Sequence, residues 1–125
     1  MRLTAPVTAA AAIAALALAA CGPTPPQAPL HYAKKLDSAT SGISTACGLA
    51  EQVSAFSGQH HRDLITLEVT AGNSSLKLAS VYHKNPAWIY QGETVRQIVT
   101  DSVSYLGSCG LHGAQTELKR ATGRH

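Results

Sequence analysis

The chain has 125 residues, 45% of them apolar and 14% charged, with a formal net charge of +3. That length fits one domain and is too short for two with separate cores, and the apolar share excludes a disordered chain. Among the basic residues only Lys34-Lys35 and Lys119-Arg120 are adjacent, which excludes the dense basic face with interleaved aromatics that nucleic-acid binding requires.

Met1-Arg2 supplies one positive charge, and Leu3 through Ala20 is then uncharged and rich in alanine and leucine. Such a run fits the hydrophobic region of a cleaved export signal. It does not end in a stop-transfer cluster of Lys or Arg but in Leu18-Ala19-Ala20-Cys21. These four residues resemble the lipobox of bacterial lipoproteins. The resemblance covers residues 1–22 and implies that the Cys21 thiolate takes a diacylglyceryl group. It also implies a cut between Ala20 and Cys21, with the freed amine open to acylation. Two or more chains anchor a protein stably where one does not, because each buried CH2 contributes about 0.8 kcal/mol. The implied localisation is the extracytoplasmic face of the cell membrane. Residues 1–20 are thus expected as signal peptide.

Residues 21–30 read as the lipidated cysteine followed by a stalk. Gly22-Pro23-Thr24-Pro25-Pro26-Gln27-Ala28-Pro29 holds four of the six prolines. Proline fixes φ and lacks an amide donor, so the segment favours polyproline II and spans about 25 Å as a spacer.

Residues 31–122 are expected to form a helical domain, with 123–125 as a frayed tail. From His31 to Ser57, Leu36, Ala39, Ile43, Ala46, Ala50 and Val53 recur at three- and four-residue steps, with Cys47 and Phe56 beside the stripe. Gly42 makes a kink near Ser41 plausible, and Gly58 suits the residue after the helix. The segment from Arg62 to His83 has two readings. Leu64, Leu67, Ala71, Ser75, Leu78 and Tyr82 share a helical face, whereas Ile65 to Thr70 alternates as a strand does and Ala71 to Ser75 is turn-like. A lone hairpin at 64–82 is marginally stable and no third strand is evident, so helix is the preferred reading. Asn85-Pro86 marks a boundary, and Ala87-Trp88-Ile89-Tyr90 reads as a short aromatic turn. From Glu93 a helix buries Val95, Ile98, Val99, Ser102, Val103 and Leu106, ending between Gly107 and Gly110. Leu111 to Thr122 reads as a last short helix with Leu118 inward. The expected fold is all-α, a small antiparallel bundle of three to four helices; the alternative is α+β with a hairpin at 64–82.

Once Cys21 is acylated, Cys47 and Cys109 remain as an even pair in an oxidising compartment, where a structural disulfide is expected. No Cys-x-x-Cys spacing favours a reactive thiol. The six histidines, including His60-His61, His83 and His112, show no His-x3-His or His-Glu-x-x-His pattern, so no metal site is assigned; Asp63 and Glu68 are the acids best placed in sequence to supplement them. The seven carboxylates are scattered, and no nucleophile elbow or phosphate loop occurs. No enzyme activity and no cofactor are therefore expected. Trp88, Ile89 and Tyr90, with Tyr82 and Tyr105 further off, are the candidate binding surface, since Trp and Tyr combine a large apolar face with a polar tip. Against this stands a plainer role, with Trp88 plugging the end of the bundle. The sequence thus suggests a non-catalytic interaction module held to the envelope by a lipid, with another envelope protein as its partner. The alternative is a lipoprotein that binds a small ligand or a metal.

Overall fold

In a computed structural model the described residues are 25–54 and 61–123. They contain four helices and one two-stranded sheet: α1 (Leu30–Ser54), α2 (His61–Lys84), β1 (Ile89–Tyr90), β2 (Glu93–Thr94), α3 (Val95–Ser108) and α4 (His112–Ala121). The expected signal, the lipobox with Ala20 and Cys21, and the α1 end at Phe56 to Gly58 lie outside the described residues.

Both long helices bury the middle of the stripe that their periodicity predicts, with Val53, Leu64, Leu67 and Tyr82 half-buried. Leu36, Ala39, Ile43, Ala46, Cys47 and Ala50 of α1 meet Ala71, Leu78 and Val81 of α2 in one core, which Val95, Ile98, Val99 and Leu106 of α3 and Leu111, Ala114 and Leu118 complete. Many of these residues are alanines, so the helix axes must approach closely for the core to fill. The tightest approach is at Gly42, where a Cβ would lie 2.1 Å from Ser74 Oγ and 3.2 Å from Ser74 Cβ. Gly42 therefore serves as a crossing point, and α1 runs unbroken through it. Lys77 Nζ donates to Ser38 Oγ at 3.0 Å. Ser38 beside Lys77 and Gly42 beside Ser74 place α1 and α2 antiparallel.

The segment 64–82 is helical throughout. As a helix it buries Ala71, Ser75, Leu78, Ala79 and Val81, leaving Ile65 52% and Val69 59% exposed. As an isolated hairpin it would have left its edge groups without partners, and the helical face wins because α1 supplies a complementary surface.

The expected turn after Pro86 has more order than its sequence suggests. Asn85 Oδ1 accepts from the Ala87 amide at 2.9 Å, reversing the chain out of α2. Ile89 and Tyr90 then pair antiparallel with Thr94 and Glu93. The two linking residues both have positive φ, 51° at Gln91 and 83° at Gly92, the combination that suits a two-residue hairpin. On the other edge of β1, Gln27 forms a parallel bridge with Ile89. The Ala28 amide donates to the Ile89 carbonyl and the Ile89 amide to the Pro26 carbonyl, both at 2.9 Å. The last part of the proline-rich segment is thereby fastened to the domain.

Helix α3 starts at Val95, the first residue of its apolar face, and not at the expected Glu93, because Thr94 is its cap. Thr94 Oγ1 accepts from the Gln97 amide at 3.1 Å, and Gln97 Oε1 accepts from the Thr94 amide at 2.8 Å, a reciprocal capping box. At the other end Gly110 takes φ 87°. There the Leu111 amide donates to the Leu106 carbonyl and the Gly110 amide to the Gly107 carbonyl, the Schellman pattern. Cys109 lies at this end of α3, 5.4 Å from Cys47 between Cα atoms, and the two form a disulfide.

Candidate functional site

The three candidate positions, Trp88, Ile89 and Tyr90, form no exposed binding surface. Trp88 turns toward α1, its ring centroid 4.9 Å from that of Tyr32, and packs against the main core. Ile89 is half-buried, with both backbone faces used for pairing. Tyr90 is half-buried too, reaching Asp37 of α1 and lining a cleft between α1, α3 and the hairpin. No open apolar patch joins these three residues, because each is half-buried against the domain.

The cleft has a volume of about 510 Å³ and is lined by Thr40, Ile43, Tyr90, Gln91, Glu93, Ile98, Asp101, Ser102 and Tyr105. Its α3 wall follows from helix geometry, since positions 98, 101, 102 and 105 fall at i, i+3, i+4 and i+7 and share one face. Thr40 and Ile43 stand one turn apart on α1. The hairpin closes the end, and its left-handed Gln91-Gly92 turn sets Tyr90 and Glu93 opposite each other as a register pair.

Tyr90 donates its hydroxyl proton to Asp37 Oδ1 at 3.0 Å. Partial burial, then that hydrogen bond, then the Asp37 charge raise the Tyr90 phenol above its ordinary value. All three favour the protonated ring. The group is thus held neutral, as a donor and an apolar wall rather than as a base. Tyr105 is 41% exposed. Ser102 is only 8% exposed. Among the described residues no side-chain hydrogen bond or ion pair engages Ser102, Glu93 or Asp101. The floor of Ile43 and Ile98 is apolar, the rim carries two carboxylates, and no basic side chain lines the space.

The remaining candidates go elsewhere. Tyr82 accepts from Arg96 at 3.2 Å and lies under its guanidinium. His83 Nε2 reaches the Ala121 carbonyl at the end of α4, and His112 lies beside Gln115. His60 and the side chain of His61 fall outside the described residues, within which no group of three His, Cys, Asp or Glu could hold a metal ion. Glu68, an acid considered as a supplement to the histidines, has a different partner. Its carboxylate accepts from the Gly113 and Ala114 amides at 3.2 and 2.8 Å, capping α4 from a neighbouring helix.

Sequence reasoning found Tyr90 and Tyr105 but not Glu93, Asp101 and Ser102 as their companions. Asp101 lies on the exposed side of α3 and Ser102 in its buried stripe; the cleft arises because the hairpin folds back over the boundary between those faces. The i, i+3, i+4, i+7 set on α3 was the one signal available in the sequence.

No protein family matches this chain, and neither a curated protein nor a solved structure matches it. No helix among the described residues is long and apolar enough to cross a membrane.

Proposed function

We propose that this protein is an envelope lipoprotein, anchored through Cys21, whose four-helix antiparallel bundle is a non-catalytic module that binds a ligand in the cleft between α1, α3 and the hairpin. The disulfide carries the export part of this reading. A bridge between Cys47 and Cys109 suits an oxidising compartment, and it leaves Cys21 as the odd cysteine, at the end of the lipobox-like run. The attachment of Pro26 to Ala28 along β1 supports the stalk as a short spacer that enters the domain at a fixed point. A cleft of about 510 Å³ with convergent polar groups on apolar walls falls in the size range of small-molecule sites. It favours ligand binding over docking of a partner protein on residues 88–90, which offer no open apolar patch.

Two measurements test the reading. Cys21→Ala is expected to abolish incorporation of labelled fatty acid and to leave a precursor of higher mass; normal processing and labelling of the variant overturn the anchor. For the binding part, the full chain carrying 3-fluorotyrosine is titrated with a small-molecule extract of cell envelopes. Shifts of the Tyr90 and Tyr105 fluorine signals are expected, with those of Tyr32 and Tyr82 unmoved. No shift at either cleft tyrosine overturns the cleft as a binding site.

A further inference from the structure

The cleft inverts the electrostatic character of the chain. The protein as a whole is basic, at +3, yet the only ionised side chains lining this space are Glu93 and Asp101. Among the described residues neither carboxylate has an ion-pair or side-chain hydrogen-bond partner. The one ion pair found there joins Glu117 to Arg120 on α4. Unpaired carboxylates on open surface are unremarkable, because water satisfies them. These two differ in their setting. They line one cleft together with the apolar Ile43 and Ile98 and with two tyrosine rings, whose faces attract cations. Ser102 lines the same cleft; the residue is 8% exposed and has no side-chain hydrogen-bond partner among the described residues. Its hydroxyl keeps contact with solvent in the cleft, where it can accept from a ligand or donate to one.

We propose that the cleft takes a primary alkylammonium, with Asp101 and Glu93 matching its charge, Tyr90 and Tyr105 flanking its cationic end, and Ser102 accepting one N–H from it. The inference rests on the cleft being a binding site and adds the chemical class of the ligand. The methylene chain lies against Ile43 and Ile98, where removal from water favours it. Two carboxylates line the cleft, so a diamine matches its charge better than a monoamine. A phosphate, a carboxylic acid or a sulfate is repelled by the same rim. Tyr90 strengthens this preference, because its proton is already committed to Asp37 at 3.0 Å, and its ring face, not its hydroxyl, is what it offers.

The test uses the full-length chain in micelles of an uncharged detergent, with 3-fluorotyrosine as reporter. The probes are 1,4-diaminobutane, its uncharged counterpart 1,4-butanediol, and Nα-acetyl-lysine N-methylamide. The diamine is expected to shift the Tyr90 and Tyr105 signals in a saturable way, and the diol is expected to leave them in place. Asp101→Asn and Glu93→Gln, at exposed positions where the change is nearly isosteric, should each weaken the diamine by about two- to five-fold at low salt, and the effect should shrink as salt is raised. Tyr105→Leu should weaken it by a similar factor and Tyr105→Phe hardly at all, since phenylalanine keeps the ring face. If the lysine amide binds more tightly than the diamine, the source is a basic side chain; the reverse order assigns a free amine. Both orders support the alkylammonium. Equal shifts by diol and diamine, or full diamine affinity in the Asp101→Asn, Glu93→Gln double variant, overturn the charge recognition while leaving the cleft as a binding site. Absence of any diamine shift overturns the alkylammonium, and the extract titration then decides separately whether the cleft binds at all.

Discussion

Replacing Glu68 should loosen a helix to which it does not belong. Helix α4 has 10 residues and no side-chain cap of its own, because Leu111 stands at its N-cap position. Two of the amides left unpaired at its start, those of Gly113 and Ala114, donate instead to the Glu68 carboxylate of α2. The approach is close enough that a Cβ at Gly113 would lie 2.9 Å from Glu68 Oε1. Loss of a capping acceptor costs about 1 kcal/mol, and loss of negative charge at a helix N-terminus about 0.5 kcal/mol more. Glu68→Ala should therefore destabilise the domain by about 1.5 kcal/mol. For a domain of this size that lowers Tm by about 6–12 °C. Glu68→Gln keeps an acceptor oxygen but no charge and should cost about half as much. Urea unfolding measures the stability, and native-state hydrogen exchange locates it, with faster exchange expected at Gly113 and Ala114. An unchanged midpoint together with unchanged exchange at those two amides in Glu68→Ala would refute the cross-helix cap.

Further outcomes follow from the same geometry. Cys47→Ser and Cys109→Ser should destabilise to the same extent, about 4 kcal/mol for a closed loop of 62 residues. Reductant should reproduce the loss in the wild type and add nothing in either variant, as read from urea midpoints. Gly48→Ala should raise stability by about 1 kcal/mol, because a Cβ there meets nothing within 4 Å. Gly42→Leu should instead force α1 from α2 at Ser74 and lower the thermal midpoint. Ser75→Ala should stabilise by about 1 kcal/mol, since the Ser75 hydroxyl is buried without a hydrogen-bond partner among the described residues. Tyr90 holds its proton more tightly folded than unfolded, so its contribution to stability is complete below about pH 10 and is lost as the pH rises above that. Asp37→Asn should bring its ionisation back toward the ordinary range, measured by ultraviolet titration of the phenol against a Tyr90→Phe control.

What the sequence determined by itself was local and periodic. The buried stripes of all four helices, from Leu36 to Ala50 in α1 to Leu118 in α4, could be read from apolar spacing because a helix fixes which residues share a face. The pairing of Cys47 with Cys109 could be read by elimination, once the lipobox-like run claimed Cys21. The helical state of 64–82 was only preferred in the sequence, because Ile65 to Thr70 satisfies both periods; contact with α1 decided it by giving the helical face something to bury against. Tertiary structure alone decided the rest. The hairpin at 89–94 pairs only two residues a side, too few to leave a strand pattern, and its Gln91-Gly92 turn is a weak signal beside Asn-Gly. Glu68 caps a helix whose first residue lies 44 positions further along the chain, a relation that no local spacing encodes. The cleft is of the same kind. Glu93, Asp101, Ser102 and the two tyrosines are ordinary residues where they stand in the sequence, and they become one site because the hairpin folds across the edge of α3.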